Sequence, residues 1–145
     1  MAARPSIGTV TASGHSSSVI ATDLPFVGFD WSLIAPHDPA SGLATGKRQH
    51  QPVVLTIGAD AASVRLINSE ITNENLPSVV LSFIQPGGST IYMTVSLTNA
   101  SLTAIHQFTE GGTEYVDVSF TYQTIHISWI DPSVTTQDNW AAPGP

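Results

Sequence analysis

The sequence predicts a mainly β fold, a small closed barrel or sandwich of antiparallel strands with one flanking α-helix at about residues 60–71. Three observations carry this expectation. Residues 90–98, TIYMTVSLT, place Ile91, Met93, Val95 and Leu97 on one face and Thr90, Tyr92, Thr94, Ser96 and Thr98 on the other, the period-two pattern of a half-buried strand. One segment alone, GADAASVRLINSEI, repeats apolar residues at helical spacing. In YVDVSFTYQTIHISWI, residues 115–130, Val116, Val118, Phe120 and Tyr122 share one parity and Ile125, Ile127 and Trp129 the other. A single inserted residue near Gln123 and Thr124, a β-bulge, returns both sets to one side and bends the strand, as barrel closure requires.

The elements follow in chain order. Short strands are expected at about 6–12 and 18–22, and a longer one at 26–34, FVGFDWSLI. Residues 35–46, APHDPASGLATG, form a connection rich in Pro, Gly, Ala and Ser, at the long end for a compact domain and often functional. A strand at 49–57, QHQPVVLTI, leads to the helix, where Asp60 caps the N-terminus and Ala61, Val64, Ile67 and Ile71 form the apolar stripe. Asn73, Asn75 and Pro77 end it. Residues 77–85, PSVVLSFIQ, are apolar on both faces, and PGGS at 86–89 supplies the turn into strand 90–98. Asn99, although part of an Asn-Ala-Ser triplet, reads as a turn residue before a strand at 100–108, and the tail from Asp131 reads as irregular.

The 145 residues fit one domain, spanning 1–145. Four Lys and Arg against 11 Asp and Glu give a net charge of −7, which lacks the basic footprint that nucleic acid or an anionic membrane surface demands. Charged residues make up 10% of the chain, well under the usual ~25%, so its outer faces suit contact with copies of itself. There is no cysteine, hence no disulfide or thiolate metal site. The five histidines form no metal-ligand pair, the carboxylates form no acid–base pair, and Gly42, Gly46 and Lys47 miss the phosphate-loop spacing with Arg48 in place of its hydroxyl residue. No catalytic, cofactor or metal site is therefore expected. The N-terminus carries no apolar signal-peptide core, so export would take another route.

Lys47 and Arg48, two of the four cations, stand together in GKRQHQP. That block, followed by TVSLTNASLTAIHQF, EYVDVSFTYQTIHISW and TTQDNW, resembles the haemolysin-coregulated protein family, the inner-tube subunit of the type VI secretion system, related to the tail-tube proteins of contractile phages. The likeness runs from about Phe26 to Trp140, is weak over residues 1–25, and departs at Val64, which stands where the family carries proline. The resemblance implies homohexameric rings stacked into a hollow tube, with sheath, spike or baseplate and effector proteins as further partners. It also implies secretion from the cytoplasm by a route independent of a signal peptide. The subunit interface is then expected to include Pro39, Ser41, Thr45, Lys47, Arg48 and His50, the two cations reaching carboxylates of a neighbouring copy. The same fold also serves an extracellular filament or tail tube. A reading from another class is a monomeric carbohydrate- or peptide-binding barrel stacking ligands on Trp31, Trp129 and Trp140.

Overall fold

A computed structural model describes residues 6–14, 19–35, 40–43, 49–85, 88 and 90–139. In chain order the elements are β1 (Gly8–Ser13), β2 (Val19–Asp30), β3 (Leu33–Ile34), β4 (Gln49–His50), β5 (Val53–Gly58), α1 (Ala61–Ile71), β6 (Leu76–Ile84), β7 (Ile91–Glu110), β8 (Thr113–Thr121), β9 (Thr124–Trp129) and β10 (Val134–Asn139). The main sheet runs β10-β9-β7-β6-β1-β2-β5-β8, and β8 pairs back onto β7. That last pairing closes six antiparallel strands, β7-β6-β1-β2-β5-β8, into a barrel. β9 and β10 continue the sheet outward from β7 as a flange, and β3 and β4 form a separate two-stranded ribbon. The mainly β barrel with one helix is the fold class that the periodicity predicts.

Strict alternation of buried and partly exposed residues in β1 and β5 shows the cause. One side of each strand fills the interior, and Phe26, Leu55, Ile57, Leu81, Leu97 and Phe120 are almost wholly buried there. Phe26 and Phe29 both meet the Phe83 ring edge-on, with centroids 5.3 and 5.0 Å away. Gly8 lets β1 approach this cluster, because a Cβ there would overlap the Ser82 carbonyl oxygen and the Phe26 ring.

The expected bend near Gln123 exists, and β7 shares it. Asn99 adopts φ +50° within β7, opposite the Tyr122–Gln123 break between β8 and β9. The flanking pairs Thr98↔Thr124 and Ser101↔Thr121 keep one register across the bend. Each strand thus carries an extra residue, and the inward parity switches on both at once: Val95 and Leu97, then Ala100 and Leu102; Phe120 and Tyr122, then Ile125. The Asn99 amide donates to Gln123 Oε1 at 2.6 Å across the kink.

Several boundaries differ from the sequence expectation. Asn99 is no turn: residues 91–110 form one strand, since αL is a conformation Asn tolerates without leaving the ladder. The strands expected at 18–22 and 26–34 are one strand to Asp30, bulged at Asp23 (φ +46°), whose backbone N–H donates to Thr11 Oγ1 at 3.1 Å. Leu33 and Ile34 leave that strand for the β3–β4 ribbon. Pro52, with no N–H to give, splits β4 from β5. The tail expected to be irregular contains β10, paired along its whole length with β9.

The helix starts where expected. Asp60 Oδ1 accepts the N–H groups of Ala62 and Ser63 at 2.9 and 3.1 Å, and Ser63 Oγ accepts the Asp60 N–H at 3.0 Å. It ends in a Schellman arrangement, with Asn73 at φ +54° and the Glu74 N–H donating to the Ser69 carbonyl at 2.8 Å. Its buried face is a correction, however. Ala62, Ser63, Leu66 and Ser69 face inward, whereas Val64 and Ile71 of the expected stripe are 64% and 76% exposed. Small residues allow the helix to lie close against β2 and β7, and Ser69 Oγ satisfies itself by donating to the Leu66 carbonyl at 2.7 Å.

Candidate assembly surface

Two surfaces stand out on this scaffold, and one buried polar cluster joins them. The β3–β4 ribbon is the root of the 35–48 connection, with Leu33 opposite His50 and Ile34 opposite Gln49. Leu33 and Ile34 are exposed there, as is Leu43 within the connection. At the flange, Ile91, Trp129, Ile130 and Val134 are also exposed, and Trp129 packs edge-on to Tyr92 with centroids 5.3 Å apart. These rings border a groove of about 370 Å³ that Gln85, Thr90 and Asp131 complete. Exposed apolar groups gathered in this way mark contact surfaces more often than scattered ones do.

Strand edges add to the surface. β10 is the last strand of the flange, so Val134 to Gln137 have β9 on one side and no strand on the other among the described residues. β7 pairs with β6 only as far as Ala100, so from Thr103 to Gln107 its sole strand partner among the described residues is β8. Both edges offer main-chain donors and acceptors to another chain.

His50 is the polar centre. It is 6% exposed, and its Nε2 lies 2.8 Å from Asp138 Oδ2 on β10. Its Nδ1 lies 3.1 Å from the Tyr122 hydroxyl at the kink. Trp31 Nε1 donates to that hydroxyl at 2.6 Å, and the hydroxyl donates to the Gln51 carbonyl at 3.0 Å. Burial pushes the Tyr122 hydroxyl above its ordinary pKa; the Trp31 hydrogen bond opposes this and the Asp138 charge adds to it. The tyrosine therefore stays protonated through the neutral range.

Of the expected interface residues, Pro39, Thr45, Lys47 and Arg48 lie outside the described residues. Ser41 is exposed, its Oγ accepting the Leu43 N–H at 3.3 Å. His50 turns inward instead of presenting its ring to the surface. Trp31 is committed to Tyr122, Trp129 is 43% exposed, and Trp140 lies outside the described residues. Sequence reading missed Trp31, Tyr122 and Asp138 as partners of His50. The available signal was Tyr122, the polar-tipped last member of the inward run before the parity change. Among the described residues, no group of three His, Asp or Glu side chains is arranged to hold a metal ion.

A sequence model described as "Type VI secretion system effector, Hcp" matches residues 8–129. The chain belongs to the Hcp family. It is 31% identical over 149 residues to the "Major exported protein" of Pseudomonas aeruginosa, covering 95% of this chain and 84% of that one. Among solved structures, a crystal structure of an Hcp protein superposes with a TM-score of 0.86 at 19% identity, covering 95% of this chain and 99% of the other. Hcp1 from the E. coli EAEC 042 pathovar gives 0.81 at 20% identity, covering 94% and 99%. At such identities these two structures speak for the fold, and the family match carries the membership. The matched family is that of a secretion-system protein, not of a known enzyme.

Proposed function

We propose that the chain is the structural subunit of a hollow tube in a type VI secretion or related contractile injection machine, assembling into six-membered rings that stack, and that it is exported with that tube. The observation that carries this reading is the pair of strand edges on an otherwise closed barrel, at residues 134–137 of β10 and 103–107 of β7. An edge of one copy meeting a different edge of the next makes a heterologous contact, which closes into a ring when the rotation per step divides a full turn. The exposed apolar groups at the flange and beside the ribbon extend the contact toward the ~2,000 Å² that a durable assembly buries.

Low charge density limits repulsion between copies that are each net −7. Lys47 and Arg48 then supply local attraction for carboxylates of a neighbour, setting register more than strength. An exported relative and the family assignment support delivery by the same machine. Sedimentation velocity and negative-stain imaging test the proposal. A ring-shaped particle of about six times the 15.3 kDa chain is expected; a lone chain at every concentration refutes it. Charge reversal at Lys47 and Arg48 together is expected to weaken stacking, and unchanged stacking removes the role assigned to them.

A further inference from the structure

Register across the five neighbouring strands β1, β6, β7, β9 and β10 lines up one outward face. Directly paired residues point the same way, and the middle row reads Thr11, Val80, Ser96, His126 and Gln137. The row on one side, from Thr9 to Thr135, holds only Thr and Ser; the row on the other, from Ser13 to Asn139, holds Ser and Thr up to that last Asn. All these positions keep some exposure, and none is Asp, Glu, Lys or Arg. The described carboxylates lie elsewhere: Asp23 marks the border on β2, 3.5 Å from Thr11 Oγ1; Glu114 and Asp117 are on β8; and Asp138 points to the opposite side of β10, level with buried Ile125. With strands about 4.8 Å apart and rows about 7 Å apart, the patch measures roughly 20 by 14 Å, and Val80 is its single apolar side chain.

This composition is the reverse of a contact surface. Protein interfaces favour aromatic side chains and Arg and are poor in Ser, and the exposed apolar groups of this molecule gather at the ribbon and the flange instead. A hydroxyl face with nothing to bury and no charge to pair is best left in water. We propose, on the ring reading above, that this face lines the channel of the tube as a neutral, hydrogen-bonding wall. Its last strand is β10, whose open edge takes a strand from the next copy and so carries the sheet onward. The closed barrel stands behind the face, on the far side of β1, β6 and β7. Six copies with five strands each make a wall about 140 Å around and about 45 Å across when the barrels point outward; pointing inward, they would crowd the axis. A polypeptide passing along such a wall meets no apolar patch to stick to and no fixed charge to pair with, so passage does not sort by sign of charge.

The chain has no cysteine, so Ser96→Cys places one thiol in the middle of the face; Ser128→Cys on β9 repeats the measurement should the first variant fail to fold. In assembled particles the introduced thiol is expected to react with a small maleimide but not with a maleimide held by a short linker on a carrier protein wider than the channel, although both label it in urea. At ~0.15 M salt, cationic and anionic methanethiosulfonates, each scaled to its rate with a free thiol, are expected to react at rates that differ by less than about 10-fold, since a lining of one sign raises the local counter-ion concentration by about 10-fold or more. Ring-sized particles whose thiol takes the carrier as fast as the small reagent place the face outside, and a thiol closed to both places it in a contact; either result overturns the assignment while the ring stands. A preference for one sign of about 10-fold or more overturns the neutral wall. Sedimentation of the same sample reads the ring itself, and a lone chain at every concentration overturns both readings.

Discussion

Replacing Tyr122 with Phe isolates the value of one hydroxyl group. The ring remains, so the surrounding apolar contacts persist and the lost volume is a single oxygen. Three hydrogen bonds vanish together, those to Trp31 Nε1, His50 Nδ1 and the Gln51 carbonyl. His50 is buried, so its orphaned nitrogen carries a full desolvation cost of about 1–3 kcal/mol. Trp31 and Gln51 are partly exposed and recover part of their loss from water, adding about 0.5 kcal/mol each. The expected loss is therefore about 2–4 kcal/mol, a fall in Tm of about 4–16 °C for a chain of this size. Urea unfolding at two protein concentrations measures it, the second concentration separating intrinsic stability from any contribution of assembly. A loss under about 0.5 kcal/mol with an unchanged m value would show that the hydroxyl is not the hub that its geometry implies.

Three other outcomes are expected. Gly8→Ala should cost about 1–3 kcal/mol in thermal denaturation, because the added methyl overlaps a backbone carbonyl that can move only with β6. Asn99→Val should cost about 1–2 kcal/mol, since a β-branched residue resists the left-handed conformation, while Asn99→Gly should be nearly neutral; equal effects would argue against the kink. The contribution of Tyr122 to stability should be level up to pH ~10 and then fall, because the folded Tyr122 holds its proton above the pH at which the unfolded one releases it; Tyr122→Phe should remove that part of the alkaline decline.

What the sequence made legible followed from side-chain parity. The alternation of residues 93–97 and the phase change after Tyr122 marked the inward faces and located the bend, because a strand has two sides and one must be dry, whereas Ile91 and Trp129, expected on those same faces, lie at the flange and are each 43% exposed. Asn99 escaped because an αL residue reads the same whether the chain reverses there or only kinks; what decides is the partner strand, a non-local fact. The helix stripe failed for a related reason. Apolar spacing says that a face seeks cover but not whose. Here the small face of Ala62, Ser63 and Ser69 met the barrel and left Val64 and Ile71 outside. The His50 cluster joins residues 31, 50, 122 and 138, and no local pattern brings such distant positions together.

β7 belongs to every part of the molecule at once. Its twenty residues border β6 in the barrel, carry the flange through β9, and run on to the β8 hairpin. At about 3.3 Å per residue it reaches roughly 60 Å before allowance for the kink. A push or pull applied at the flange therefore travels into the barrel along covalent bonds, with no side-chain joint to slip. Under a load applied along its length that strand would act as a girder, interrupted at Asn99, where the backbone turns left-handed, and at the register shift between Leu102 and Ala104.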